Sequence, residues 1–258
     1  MTNLTKKIAA FDLDGTLAES KQHLEKDMSD LLCSLTKEKV VAIISGGSFN
    51  QFKKQFLPFL IPNKEDEDIV YRNLILLPTS GSRRYQYDFS KKEWIITDEE
   101  AMPAEVREKV KKVLSELISS GKYGLVPAVE GDEIVEDRVT QITMSALGQH
   151  APLDLKKAWD LDQAKRQQIK SELEPQLPEV NITIGGATSI DILPKGFNKA
   201  SGLLRLLNKL GMTIEDMVFV GDAIFPGGND YSAYEAGIEC LKVSGPIETK
   251  EVIKNWIE

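Results

Sequence analysis

Asp12 and Asp14 flank Leu13 in the stretch IAAFDLDGTLAES, where an apolar run meets two carboxylates and then breaks at Gly15-Thr16. In an extended backbone both acidic side chains point the same way. Two carboxylates on one face repel each other and raise each other's pKa unless a cation or a shared proton lies between them. A strand that ends this way costs stability, so the offset is to be sought among the residues that join it.

Residues of matching chemistry end other apolar runs. Ser45-Gly46-Gly47 follows Val40–Ile44, Gly221-Asp222 ends MVFVGD, Asp230 comes next on GDAIFPGGND, and Lys199 starts a helical run after SIDIL. Ligands of open parallel sheets bind at the carboxyl ends of the strands, so a parallel sheet would gather all of these at one edge. The only histidines are His23 and His150, which leaves acid–base chemistry to carboxylates. Several acids with one ammonium call for a hard cation, and Mg2+ held by carboxylates, water and a substrate phosphate suits the set. The ion would also relieve the repulsion at Asp12 and Asp14. Lys199 and the Gly46 and Gly47 amides are suited to phosphate oxygens. A carboxylate nucleophile splits the very slow cleavage of a phosphate monoester into two steps, and a second carboxylate can serve as general acid and base.

The elements that must position these residues alternate between strand and helix. Ile8–Phe11, Val40–Ile44 and Leu74–Leu77 are apolar throughout, as strands covered on both faces are. Between them, Leu24, Met28, Leu31, Leu32 and Leu35 recur at helical spacing, and Ser48 is placed to cap a helix running to about Phe59. The middle of the chain changes character. YQYDFSKKEWIITD predicts a hairpin turning at Ser90-Lys91-Lys92, and Pro103 opens a helix with Val106, Val110, Val113, Leu114 and Leu117 on one face. Val139, Ile142 and Met144 alternate as in a strand, and a charged helix spans about Lys156–Leu173. From Ser189 the strand–helix pattern resumes with SIDIL, a helix over Lys199–Leu210, MVFVGD, LKV and a last helix from Pro246. The expected organisation is a core built from residues 1–86 and 187–258, with an α+β cap domain inserted at 87–186.

DLDGT, the serine of ISGGS, Lys199 and GDAIFPGGND together resemble, in order and spacing, the four motifs of the haloacid dehalogenase superfamily. The resemblance implies an α/β fold, a Rossmann-like parallel-sheet core with an inserted type IIB cap. It implies Asp12 as phosphoryl-accepting nucleophile, Asp14 as acid/base, and Ser45 and Lys199 gripping the phosphoryl group. Mg2+ would be held by Asp12, the Asp14 carbonyl and Asp222, supported by Asn229 or Asp230. Along most of the chain, GGATSIDILPKGFNK, GDAIFPGGND and EDR…SALGQ are closer still to the eukaryotic-type phosphomannomutases. That likeness implies sugar contacts at Ser189 and Asp191 and a distal-phosphate contact at Arg138. Two departures matter. Gln149 and Gly131 stand where those mutases carry cap arginines, and an amide cannot neutralise a dianion as a guanidinium fork does.

The expected activity is therefore a Mg2+-dependent phosphatase acting on a phosphorylated sugar or similar small metabolite. A phosphosugar mutase is the alternative, with Arg138, Lys122 or His150 replacing the missing cations, and a non-catalytic sugar-phosphate sensor is the weaker one. With Lys plus Arg at 32 against Asp plus Glu at 40, the net charge is −8, which offers no footprint for nucleic acid or anionic membrane. No apolar run nears the roughly 20 residues that span a bilayer, and MTNLTKK has no signal-peptide h-region. With two cysteines, Cys33 and Cys240, a reduced, cytoplasmic protein is expected, as a monomer or a cap-mediated homodimer.

Overall fold

The apolar runs flanking the acids become the neighbouring strands of one sheet. The computed structural model describes residues 5–20 and 22–257; residues 1–4, part of the N-terminal stretch read above for a leader, lie outside it. In chain order the elements are β1 (Ile8–Asp12), α1 (Lys26–Glu38), β2 (Val40–Ile44), α2 (Phe49–Gln55), α3 (Glu67–Asn73), β3 (Leu74–Leu77), β4 (Arg83–Asp88) and β5 (Glu93–Glu99). Then come α4 (Ala104–Ser119), β6 (Val135–Asp137), β7 (Ile142–Ser145), α5 (Leu153–Trp159), α6 (Ala164–Leu173), β8 (Val180–Ile184) and β9 (Ser189–Pro194). The chain closes with α7 (Lys199–Leu210), β10 (Met217–Gly221), α8 (Tyr231–Glu235), β11 (Glu239–Lys242) and α9 (Pro246–Ile257).

Two units divide the chain, one of residues 1–99 with 199–258 and one of residues 100–198. The first holds a seven-stranded sheet ordered β11-β10-β1-β2-β3-β4-β5. Strands β11 to β3 run parallel, and β4 and β5 extend the β3 edge antiparallel. Along β1, Ala9 and Phe11 face a core shared with α1 and α9, while Ile8 and Ala10 face one shared with α7. That two-sided burial explains why these strands read as unbroken apolar runs.

The second unit is a four-stranded antiparallel sheet, β6-β7-β9-β8, with α4, α5 and α6. Its core is formed by Ile142, Met144, Ile182, Ile190 and Ile192 with Val110, Leu114, Ile169 and Leu173. The intervening Thr143, Ser145, Thr183, Ser189 and Asp191 occupy the other face, as the strand period of two requires.

This partition corrects the expected boundaries of 87 and 186. The YQYDFSKKEWIITD hairpin joins the first sheet, with Tyr85 and Trp94 on its core, because a parallel sheet commonly carries an antiparallel edge. SIDIL belongs to the inserted sheet, where Ser189 and Asp191 alternate with buried isoleucines. Three local readings also shift. Helix α2 stops at Gln55 and a short 3-10 turn at Leu57–Phe59 follows, with Pro58 unable to donate to a continuing helix; Ser48 makes no side-chain cap there. Val139 lies in the turn between β6 and β7 with φ 69°. The charged helix breaks in two around Asp160–Gln163.

Candidate active site

Asp12 is the last residue of β1, at the carboxyl edge where β10 ends beside it. Past Asp12 the chain leaves the extended form: the amides of Leu17 and Ala18 both donate to the Leu13 carbonyl, at 3.0 and 3.1 Å. Gly15 takes φ +87°, and a Cβ there would come within 2.7 Å of Asp222 Oδ2, so DGT needs its glycine for both backbone angle and space.

One oxygen from each of Asp12, Asp222 and Asp230 lies within 4.8 Å of the others. Lys199, the first residue of α7, donates from Nζ to Asp12 Oδ1 at 2.6 Å and to Asp230 Oδ1 at 2.5 Å. Lys199, Asp12 and Asp230 are all buried. The other oxygen of Asp230 accepts the Ala223 amide at 3.0 Å, and Asp222 accepts the Thr16 hydroxyl at 3.3 Å. Burial pushes the Asp12 carboxyl well above the usual carboxylate range; Lys199 opposes this, and Asp230 and Asp222 reinforce it. Asp222 is raised as well, by burial and then by Asp230. Lys199 is held charged: burial works against the ammonium, but Asp12 and Asp230 outweigh it.

Three carboxylates around one ammonium leave an excess of negative charge in a buried place, and all ligand atoms on offer are hard oxygens. The donor set fits a divalent cation such as Mg2+. Asn229, half-buried, stands next to Asp230 on the same loop.

The Asp14 carboxylate is not part of this cluster, which corrects the expectation that Asp12 and Asp14 repel across one face. Because the chain turns after Asp12, the acids that crowd Asp12 are Asp222 and Asp230, and Asp14 is met instead by the amides of Gln51 and Gln55. Nothing in the motif reading pointed to those glutamines. Their one signal was Gln55 within the apolar surroundings of Phe52 and Phe56.

Ser45 directly follows β2 and is buried. Its hydroxyl accepts the Gly47 amide at 3.0 Å and its carbonyl accepts the Ser80 amide at 2.8 Å. Gly46 and Gly47 therefore form a turn pinned to the 3-10 turn at Thr79–Gly81.

The remaining candidates lie in the inserted unit. Asp191 Oδ1 accepts Gln141 Nε2 at 2.9 Å and the Thr143 hydroxyl at 2.8 Å, and Ser189 pairs with Ser145 at 3.1 Å. These residues share the polar face of that sheet. Arg138 forms an ion pair with Glu136 at 2.6 Å. The Gln149 carbonyl accepts Lys156 Nζ at 2.7 Å, while its side-chain nitrogen is buried with no hydrogen-bond partner among the described residues. Lys122 pairs with Glu172 and His150 with Asp132.

Comparison with known proteins agrees with this architecture. Among solved structures, an IMP-bound Plasmodium falciparum IMP-nucleotidase superposes with TM-score 0.69 at 17% identity, over 98% of this chain and 68% of that one. A haloacid dehalogenase-like hydrolase from Bacteroides thetaiotaomicron gives TM-score 0.63 at 18% identity, covering 97% and 99%. The phosphomannomutase of Encephalitozoon cuniculi (strain GB-M1) is 25% identical over 250 residues, 95% of this chain and 91% of that protein. A probable phosphomannomutase of Caenorhabditis elegans is 25% identical over 269 residues, covering 98% and 96%. The family model for eukaryotic phosphomannomutase matches residues 28–258, from α1 through the inserted unit to the end of the chain. By that match, and with the fold of haloacid dehalogenase-like hydrolases, this chain belongs to the eukaryotic phosphomannomutase family.

Proposed function

We propose that the chain is a phosphosugar mutase of the phosphomannomutase type, moving a phosphoryl group between two hydroxyls of a hexose by way of a phosphorylated Asp12. The observation that carries this reading is the family match through both units, the inserted one included. Phosphoryl transfer itself is supported by the buried Asp12–Lys199 pair beside Asp222 and Asp230.

In the forward half, an Asp12 oxygen attacks phosphorus, the bond from phosphorus to the sugar oxygen breaks, and Asp14 delivers a proton to that oxygen. Lys199, the Ser45 hydroxyl and the Gly46 amide would offset the charge of the phosphoryl oxygens, while the Gly47 amide, which donates to the Ser45 hydroxyl oxygen, orients that hydroxyl. In the return half, the free hydroxyl of a hexose monophosphate attacks the phosphorylated Asp12, its proton passes to Asp14, and the acyl phosphate bond breaks, so that a hexose bisphosphate stands between the two half-reactions. Mg2+ held by Asp12, Asp222 and Asp230, with Asn229 and the Asp14 carbonyl beside them, would supply neutralisation of the phosphate charge. Arg138, Gln149, Ser189 and Asp191 are the proposed sugar- and phosphate-contacting residues, and the orphan Gln149 amide supports this by its need for an acceptor. The free thiols of Cys33 and Cys240 suit a reducing compartment such as the cytoplasm.

A second reading, a phosphatase for a small phosphorylated metabolite, is favoured by Gln149 and Gly131. Without those two guanidinium groups a bisphosphate is held less firmly between the half-reactions, and water can take the place of the second hydroxyl. Phosphorus NMR of mannose 1-phosphate with the protein, Mg2+ and a trace of hexose bisphosphate separates the readings. Mannose 6-phosphate as the product, absent with Asp12→Asn, supports the mutase. Inorganic phosphate as the product supports the phosphatase, and tight binding without turnover supports the sensor.

A further inference from the structure

Helix α2 presents two amides to one carboxylate. Gln51 Nε2 donates to Asp14 Oδ2 at 2.6 Å, and Gln55 Nε2 donates to Asp14 Oδ1 at 3.0 Å. Residues four apart share one stripe of a helix, and here the stripe is closed on itself, because Gln51 Nε2 also donates to Gln55 Oε1 at 2.9 Å. An ionised carboxylate only accepts hydrogen bonds, so both glutamines turn their NH2 groups toward it. One donor on each oxygen fixes the plane of the carboxylate as well as its place.

Both glutamines are themselves held. Gln55 is 4% exposed, and its backbone carbonyl accepts the Leu24 amide at 3.0 Å. The Gln51 amide oxygen lies where a Cβ on Gly47 would stand, so the Gly-Gly turn leaves room for it. Burying an amide is costly unless it is hydrogen-bonded, yet an apolar residue at 55 would fit beside Phe52 and Phe56 without that cost. The orientation of Asp14 is what the pair secures.

We propose that Gln51 and Gln55 are positioning residues that set the Asp14 carboxyl for proton transfer to and from the sugar oxygen. The proposal rests on the reading of Asp14 as general acid and base. Its proton matters when the departing oxygen is a basic alkoxide, and it matters little when the departing group is a stable phenolate. The two amides should therefore count for alkyl phosphates and not for aryl ones.

The test is steady-state kinetics of Gln51→Met and Gln55→Met, with Asp14→Asn alongside, on mannose 1-phosphate with a trace of hexose bisphosphate, reading mannose 6-phosphate, and on 4-nitrophenyl phosphate, reading nitrophenolate. A correctly placed general acid contributes about 10²- to 10⁴-fold; misplacing it is expected to cost kcat about tenfold on the hexose phosphate. On the nitrophenyl ester kcat is expected to stay within about twofold, with KM little changed on both. An equal fall on both substrates, or no fall on either, overturns the proposal. Should Asp14→Asn itself fail to separate the two substrates, the acid/base reading has failed instead. The positioning claim is then decided by the 13C resonance of the Asp14 carboxyl, assigned by its loss in Asp14→Asn. That resonance shifts in Gln55→Met if the amide holds the group, and its staying put overturns the claim.

Discussion

Lys199 stands between Asp12 and Asp230 with 2% of its surface exposed, and its removal strands two buried acids. Removing one partner of a buried ion pair costs about 3–5 kcal/mol, so Lys199→Met is expected to lower stability by that order in urea denaturation and to abolish turnover. Asp12→Asn should act oppositely on stability. Its Oδ1 can still accept from Lys199, and the crowding of Asp12 by Asp222 and Asp230 disappears. Residues kept for chemistry commonly cost their protein about 0.5–2 kcal/mol, and a gain in stability of that size, read as a raised Tm, is expected in the metal-free variant, with turnover lost. A variant no more stable than the parent would show that the acids are not in conflict. Asp12 and Asp222 were legible in the sequence because each ends an apolar run, where a charge stands out, and Asp230 because it lies on the glycine-rich loop that follows Asp222. Gln51 and Gln55 were not, since glutamines on a short helix look like an ordinary polar stripe until Asp14 is seen against them.

At the scale of elements, the break between α5 and α6 is organised by a buried ion pair. Asp160 accepts Arg166 Nε at 2.7 Å and the amides of Lys165 and Arg166, while Arg166 also donates to the carbonyl of Gly186. Burial alone would push the Asp160 carboxyl up, but Arg166 and the two amides together hold it below the usual carboxylate range. A depressed folded-state pKa gives stability that is complete above the unfolded value, about pH 4, and is lost as pH falls through the folded value. Asp160→Asn is thus expected to cost about 3 kcal/mol at pH 7, with the gap to the parent narrowing in denaturation curves below about pH 4. A gap unchanged with pH would sink the idea. Helix α7 carries a second test. A Cβ on Gly202 would meet the Ser80 carbonyl at 2.5 Å, and Ser80 is hydrogen-bonded to Ser45. Gly202→Ala should therefore lower kcat as well as stability, by overpacking worth about 1–3 kcal/mol, and unchanged kcat would argue against any coupling of α7 to the Ser45 turn. Element types were readable from periodicity, but membership of a sheet was not. SIDIL shows the missing clue: it alternates polar with apolar, whereas IAAF, VVAII and MVFV do not, and only strands covered on both faces can afford the second pattern.

For the whole molecule, a cation held by Asp12, Asp222 and Asp230 would link distant parts of one unit, since Asp12 lies near the start of the chain and Asp222 and Asp230 near its end. Ligand binding stabilises only what must be folded to bind, by about 2.7 kcal/mol at one hundred times Kd. Calorimetry with Mg2+ and then with EDTA is expected to move the transition of the first unit and leave that of the inserted unit in place, and Asp222→Asn should remove the shift. Among the described residues no helix is long and apolar enough to cross a membrane.

The central place of β1 has a consequence for synthesis. One neighbour of β1, β2, leaves the ribosome soon after it, but the other, β10, comes more than two hundred residues later. At about 5–20 residues per second, the first strand waits on the order of ten seconds or more with one hydrogen-bonding edge unpaired. The inserted unit, by contrast, is one continuous segment and can form while the nascent chain is still being extended. The apolar edge left open in that interval is where a chaperone would be expected to bind, and where premature termination near residue 200 would expose an aggregation-prone strand.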